Sequence, residues 1–290
     1  MSKSADVFNL IESLLPRSDQ LIVVVPSEMQ RLYSGIGMPS LRIIDLTGNG
    51  SPLTYNQIEA VNPLLNLTDP IRIRQHYGEL REQAMQGDAD ALNDLGWLWL
   101  NGWSLKPDPL LAKRMFRIAA VLDSPEALFN LAEQAWYGKG VTVNPLLAID
   151  YYEQAFASGI PCAAQALGTL YERGDGSVPA DHGKAIVWYE RGVVEGDAMA
   201  GFLLGRLALD EASTEHNQAT GLYWLQWAAM SGVMLASERL ADFYRSAFDS
   251  PPDPDGLLYR FWLDIAIKQG SSWAAEMSAR DGARQLAVNR

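Results

Sequence analysis

A period of about 36 residues governs this chain between residues 87 and 270. Leu-Gly or Leu-Ala pairs stand at Leu95-Gly96, Leu131-Ala132, Leu167-Gly168, Leu204-Gly205 and Leu240-Ala241, spaced by 36, 36, 37 and 36 residues. Each leucine follows an alanine four residues earlier, at Ala91, Ala127, Ala163, Ala200 and Ala236. Asp or Asn follows each leucine by 13 to 15 residues, at Asp108, Asn144, Asp181, Asn217 and Asp255. One unit of this length cannot bury its own apolar face, so successive copies must stack.

The pattern inside each copy describes a helix hairpin. Ala at i and Leu at i+4 share one face of a first helix, and the small residue after Leu lets a partner helix approach closely. Chain breakers follow, such as GKG (138–140) and GDG (174–176). The Asp or Asn then caps a second helix by accepting from its unpaired N–H groups. Pro109 and Pro145 take the first helical position, where a missing N–H costs nothing. The second helix carries a large apolar pair: Met115-Phe116, Tyr151-Tyr152, Trp188-Tyr189, Trp224-Leu225 and Trp262-Leu263. It ends near Gly159, Gly196, Gly232 and Gly270.

The third copy, AAQALGTLYERGDGSVPADHGKAIVWYERGVVEG (163–196), resembles the Sel-one-like repeat, a relative of the tetratricopeptide repeat. The resemblance rests on Ala163, Leu167-Gly168, Tyr171, Gly174, Gly176, the step from Asp181 to Lys184-Ala185, and Trp188-Tyr189. It covers roughly residues 87–270 and loosens in copies four and five, which lack the Gly-rich loop. It implies a mainly α fold, a right-handed α-solenoid used for protein–protein contact, with no shared catalytic residues. Five repeats are expected at 87–123, 124–159, 160–196, 197–232 and 233–270. Residues 271–290 form a capping helix: Ala274 keeps the register, and Ser278 stands where the leucine belongs. A polar residue there discourages a further copy.

Residues 1–86 fall outside the period and are expected to form a small α/β or mixed N-terminal cap. LIVVV (21–25) and LRIID (41–45) read as short buried strands. VFNLIESLL (7–15), YNQIEAVNPLL (55–65) and IRIRQHYGELREQAMQ (71–86) read as helices.

Composition narrows the function. The net charge of −12 argues against a nucleic-acid or anionic membrane partner and suits a basic one. LIVVV is far too short to span a bilayer, and acids at Asp6 and Glu12 interrupt any signal peptide, so a cytoplasmic location is expected. The single cysteine, Cys162, excludes a disulfide framework and reads as a buried, inert thiol. His76, His182 and His216 lack metal-ligand spacing. GIG (35–37) and GNG (48–50) read as turns rather than phosphate cradles. No catalytic, cofactor or metal set emerges, and an enzyme site would have to lie in residues 1–86.

Aligning the copies separates core aromatics from spare ones. With the Gly or Ala of the Leu pair as zero, position +3 holds Trp99, Ala135, Tyr171, Ala208 and Tyr244, so Trp99 reads as core. Positions −3, +1 and +4 form a different stripe on the first helix, pointing away from the Ala–Leu face. It reads Asn93-Trp97-Leu100, Phe129-Glu133-Trp136, Gln165-Thr169-Glu172, Phe202-Arg206-Leu209 and Glu238-Asp242-Arg245. In helix-hairpin arrays first helices line the concave side. A protein or peptide partner is therefore expected on Trp97, Leu100, Phe129, Glu133, Trp136, Glu172, Phe202, Arg206, Leu209 and Asp242, with Trp103 extending the patch from its turn. Glu133, Glu172 and Asp242 would favour basic groups. Two alternatives stay open: Trp97 and Trp103 dock the N-terminal cap, or Phe129, Trp136 and Phe202 pack on neighbouring second helices. The function expected is a non-enzymatic interaction scaffold; a toxin-neutralising immunity protein is a narrower form of it.

Overall fold

The computed structural model describes residues 3–21, 70–102, 105–210, 215–246 and 256–288. Among them the structure is helical, with no strand beyond an isolated bridge between Asp175 and Val178. The expected strand at 41–45, all but the first residue of the one at 21–25, and the helix at 55–65 lie outside the described residues, as do GIG and GNG. The chain divides into two compact units, with the boundary between Asp181 and His182 inside the third copy.

The first unit holds α1 (Lys3–Leu14), α2 (Pro70–Met85), α3 (Ala89–Asn101), α4 (Pro109–Val121), α5 (Pro125–Tyr137), α6 (Pro145–Ala157) and α7 (Cys162–Arg173). The second holds α8 (His182–Val194), α9 (Ala198–Asp210), α10 (Glu215–Met230), α11 (Met234–Ser246), α12 (Leu257–Lys268) and α13 (Ser272–Val288). The hairpins α3–α4 and α5–α6 stack in the first unit, and α9–α10 and α11–α12 in the second. First helices of successive copies also touch directly, α3 with α5 and α9 with α11.

Two turn designs generate the period. At the first, the capping residue donates its own backbone N–H to the carbonyl at position +3 of the preceding helix. Asp108 does so to Trp99 at 2.8 Å, Asn144 to Ala135 at 2.8 Å and Asp181 to Tyr171 at 2.7 Å. The Asp108 and Asn144 side chains then accept from Leu111 N–H at 2.9 Å and Leu147 N–H at 3.1 Å, as the sequence predicts. Asn217 departs from that expectation. It lies inside α10, which already begins at Glu215, so the helix runs past the position where a cap would stop it. Asp255 lies outside the described residues.

At the second turn the helix ends on a left-handed residue, and the next N–H reaches back five residues. Gly87, Gly159, Gly196, Gly232 and Gly270 fill this position, but in copy one Asp123 does, at φ 66°. The reach-back bonds are alike, from Ser124 N–H to Ala119 at 3.0 Å and from Asp197 N–H to Gly192 at 2.9 Å. The residue after it caps the next first helix where it is Asp or Ser. Asp88 accepts from Ala91 N–H at 3.0 Å, Ser124 from Ala127 at 3.3 Å, Asp197 from Ala200 at 3.2 Å and Ser271 from Ala274 at 3.0 Å. Left-handed backbone costs a side-chain-bearing residue about 1–2 kcal/mol, partly recovered by Asp. Asp123→Gly is therefore expected to stabilise the chain by about 0.5–1 kcal/mol in urea titration, after the extra entropy loss of glycine.

The Ala–Leu faces and the small residues beside them build the cores. One core joins Ile11, Leu15, Leu21, Ile73, Tyr77 and Ala84 from the N-terminal helices and the turn after α1 to Leu95, Leu98, Trp99, Met115 and Phe116. In the second unit Leu225, Leu240, Tyr244, Tyr259, Trp262 and Leu263 form the equivalent cluster. A Cβ on Gly96 would stand 2.7 Å from the Phe116 ring, and one on Gly205 2.8 Å from the Gly221 carbonyl oxygen. On α13, Ala274 is buried and Ser278 exposed.

Candidate partner-binding faces

In the first unit the first helices of copies one and two lie side by side. Asn130 Nδ2 on α5 donates to Asn93 Oδ1 on α3 at 2.8 Å, across the contact between the two first helices. Trp97 and Leu100 are partly buried and pack against the core that joins the N-terminal helices to the first hairpin. Trp136 is also partly buried and meets Tyr137 edge-on, with ring centroids 6.3 Å apart. These three keep part of their surface in water. Trp103 lies outside the described residues.

Trp99 belongs to the core. It is 9 % exposed and stands edge-on to Tyr77 of α2 at 6.2 Å. Phe129 also belongs to the interior, although its stripe position points to the face. It is 6 % exposed, and its ring packs edge-on against Tyr152 on the second helix of the same copy, 5.3 Å away. Gln165, at the same position in copy three, is buried as well, so this position turns toward the interior in both copies.

The acids differ in how far they are already engaged. Glu133 accepts from the buried Tyr152 hydroxyl at 2.5 Å and lies 3.9 Å from Lys139 of the GKG loop. Glu172 is partly buried on α7, beside Thr169 and the buried Gln165. Asp94, absent from the aligned stripe, is exposed three residues before Trp97. Its carboxyl is pushed up to about 6 by crowding of protein around it, then by the charge of Asp90, with Asp88 adding; Asn93 and His76 act in the opposite direction. Water reaches one side of this carboxylate, so crowding and like charge raise it without enclosing it. The sequence signal was available: position −2 is one step from the stripe, on the same side of the helix.

In the second unit Phe202 and Leu209 are partly buried and pack against the core around Leu225 and Leu240. The charged positions form a ladder. Arg206 lies 3.5 Å from Asp210, Arg239 2.6 Å from Asp210 and 4.0 Å from Asp242, and Arg245 2.5 Å from Asp242. Asp242 therefore stands between two arginines. Its charge is already faced by these two arginines within the unit. The adjacent carboxylate also holds the Arg245 guanidinium more firmly protonated, chiefly through their hydrogen bond.

Among the described residues no helix is long and apolar enough to cross a membrane. Cys162 is buried at the start of α7, as expected for an inert thiol.

The Sel1 repeat family matches residues 89–123, 125–160, 163–193 and 198–233. Chitin synthase regulatory factor 4 of Schizosaccharomyces pombe is 35% identical over 135 residues, 46% of this chain and 21% of that protein. The alignment thus spans about a fifth of the relative's length. A Sel1 repeat protein from Oxalobacter formigenes superposes with a TM-score of 0.58 at 24% identity, covering 70% of this chain and 82% of its own. A protective antigen of uropathogenic Escherichia coli with the same fold gives 0.59 at 23% identity, covering 94% and 50%. These structures share the helix-hairpin solenoid fold, and the four matched repeats carry four of the five Leu-Gly and Leu-Ala pairs from which the period was read. The chain is a Sel1-repeat protein.

Proposed function

We propose that this chain is a non-enzymatic interaction module that holds a protein or peptide partner on the exposed stripe of its first helices. The observation that carries the reading is the pairing of Asn93, on the stripe of α3, with Asn130, one residue from that of α5, which joins the two helices that bear the partly exposed Trp97, Leu100 and Trp136. Aromatic side chains that keep an edge in water beside polar neighbours are the residue types that dominate binding energy at interfaces. The regulatory role in the name of the fission-yeast relative is consistent with such a module. Phe202, Arg206, Leu209 and Asp242 would add contacts in the second unit, and Glu172 in the first.

The first unit suits a basic partner, since Asp90, Asp94, Glu126, Glu133 and Glu172 stand on its three repeat first helices with Arg173 as their one base. An immunity protein bound to a basic toxin is a narrower form of the same reading, and its toxin binding would weaken steeply with salt. The test is partner affinity of Trp97→Ala/Trp136→Ala, measured where circular dichroism shows the variant folded. Loss of about 30-fold or more is expected for removing aromatic anchors worth about 2 kcal/mol. Unchanged affinity would move the binding surface elsewhere.

A further inference from the structure

We propose that the first-helix face of the first unit docks a basic segment of the partner, and that Asp94 receives its lysine or arginine beside Trp97. This inference rests on the reading of that face as the binding surface.

Charge complementarity identifies the occupant. The repeat first helices of this unit carry five carboxylates and one guanidinium, while on α9 and α11 Arg206, Arg239 and Arg245 pair with Asp210 and Asp242, and Glu238 accepts from the Ser271 hydroxyl. Acids and bases balance on α9 and α11, whereas the first face has an excess of negative charge. Within it the acids are not equivalent. Glu133 already holds the Tyr152 hydroxyl and faces Lys139, and Glu126 accepts from the Ser124 hydroxyl at 3.2 Å. Asp88 is committed to capping α3. Asp94 is exposed, one turn from Trp97, and no described Lys or Arg pairs with it.

Asp94 is also the acid whose charge is least comfortable without a partner. The groups that act on it are Asp90 and Asp88 at the start of its own helix and His76 on α2; α4 and α5 bring no charged group that shifts it. Crowding by the surrounding protein and the charge of Asp90 push its carboxyl up to about 6. A cation placed beside it favours the ionised form, so docking drives off the proton that the carboxyl holds below that pH. By the same linkage, a basic ligand binds more weakly as pH falls through about 6.

The experiment measures binding of two short synthetic peptides to the full chain, one of leucine, tryptophan and lysine and one with glutamate in place of lysine. The lysine peptide is expected to bind more tightly than the glutamate peptide at about pH 7.5 and to lose about tenfold in affinity at about pH 5. Asp94→Asn should weaken it at the higher pH and flatten the profile, while His76→Gln should leave the profile in place. Equal binding of both peptides, or an unchanged profile in Asp94→Asn with loss of the profile in His76→Gln, overturns the proposal. Full affinity for the lysine peptide in Trp97→Ala/Trp136→Ala overturns instead the reading of the face on which it rests.

Discussion

Gly205→Val is expected to destabilise the chain by about 3 kcal/mol in urea titration, among the largest effects of any single substitution that leaves charge unchanged. The added Cβ would stand 2.8 Å from both the Gly221 carbonyl oxygen and the Leu225 backbone nitrogen. These are backbone atoms of the second helix in the same hairpin, so no side chain can rotate away to relieve the contact. Gly221 faces the same constraint from the other side, its Cβ position lying 2.9 Å from the Gly205 carbonyl oxygen. Only separation of α9 from α10 makes room, and that opens the core around Leu225. Gly282 provides the opposite case within the same unit. Nothing lies within 4 Å of its Cβ position inside α13, so Gly282→Ala should stabilise the chain by up to about 1 kcal/mol through helix propensity alone. If Gly205→Val behaved like Gly282→Ala, close helix approach would not be the reason for a small residue after each repeat leucine.

Trp99→Ala and Trp97→Ala, two residues apart on one helix, are expected to fail in different ways. Trp99 is 9 % exposed and packs against Tyr77, so its truncation leaves a cavity where the N-terminal helices meet the first hairpin and costs about 3–5 kcal/mol. Trp97 keeps part of its ring in water and packs on the rim of the same core, so Trp97→Ala costs about 2 kcal/mol, less than full burial of an aromatic is worth. Partner binding should reverse the order. Once each variant is assayed where it is folded, Trp97→Ala weakens binding and Trp99→Ala does not. Equal loss of binding in both would mean that Trp97 acts by docking the N-terminal helices, the structural alternative that its contact with their core keeps in view.

The residues readable from sequence were those whose role repeats. The Ala–Leu faces, the caps at Asp108 and Asn144, and the burial of Trp99 each recur at a fixed register, so the copies corroborate one another. Where a copy departs from the consensus, the register misleads. Asn217 occupies a cap position by spacing, but α10 starts before it. The αL turn at Asp123 was hidden because the other copies mark it with glycine. The caps at Ser124, Asp197 and Ser271 were legible in principle, as Ser or Asp directly after that turn.

The faces were less legible than the fold because a stripe does not record what packs against each position. Phe129 has the right register, yet its position turns toward the interior, where its ring meets Tyr152. Asp242 has the charge expected of a basic-partner site, but Arg239 and Arg245 come from neighbouring turns of its own helix to balance it. Asp94 was passed over because it stands one residue off the aligned stripe, although its neighbours Asp90 and Asp88 are close in sequence. Pairing and crowding depend on distances that a linear register does not carry.

The central claim is that a partner occupies the first-helix face of the first unit. The most direct test places a photo-crosslinking amino acid, one site at a time, at Asp94 and Glu172 on that face, and at Val121 and Leu146, which are 78% and 63% exposed on second helices. After irradiation in cells expressing the full chain, the account predicts the same discrete adduct from Asp94 and Glu172 and none from Val121 or Leu146. An adduct from Val121 and Leu146, with none from Asp94 and Glu172, would place the partner on the second helices and contradict it.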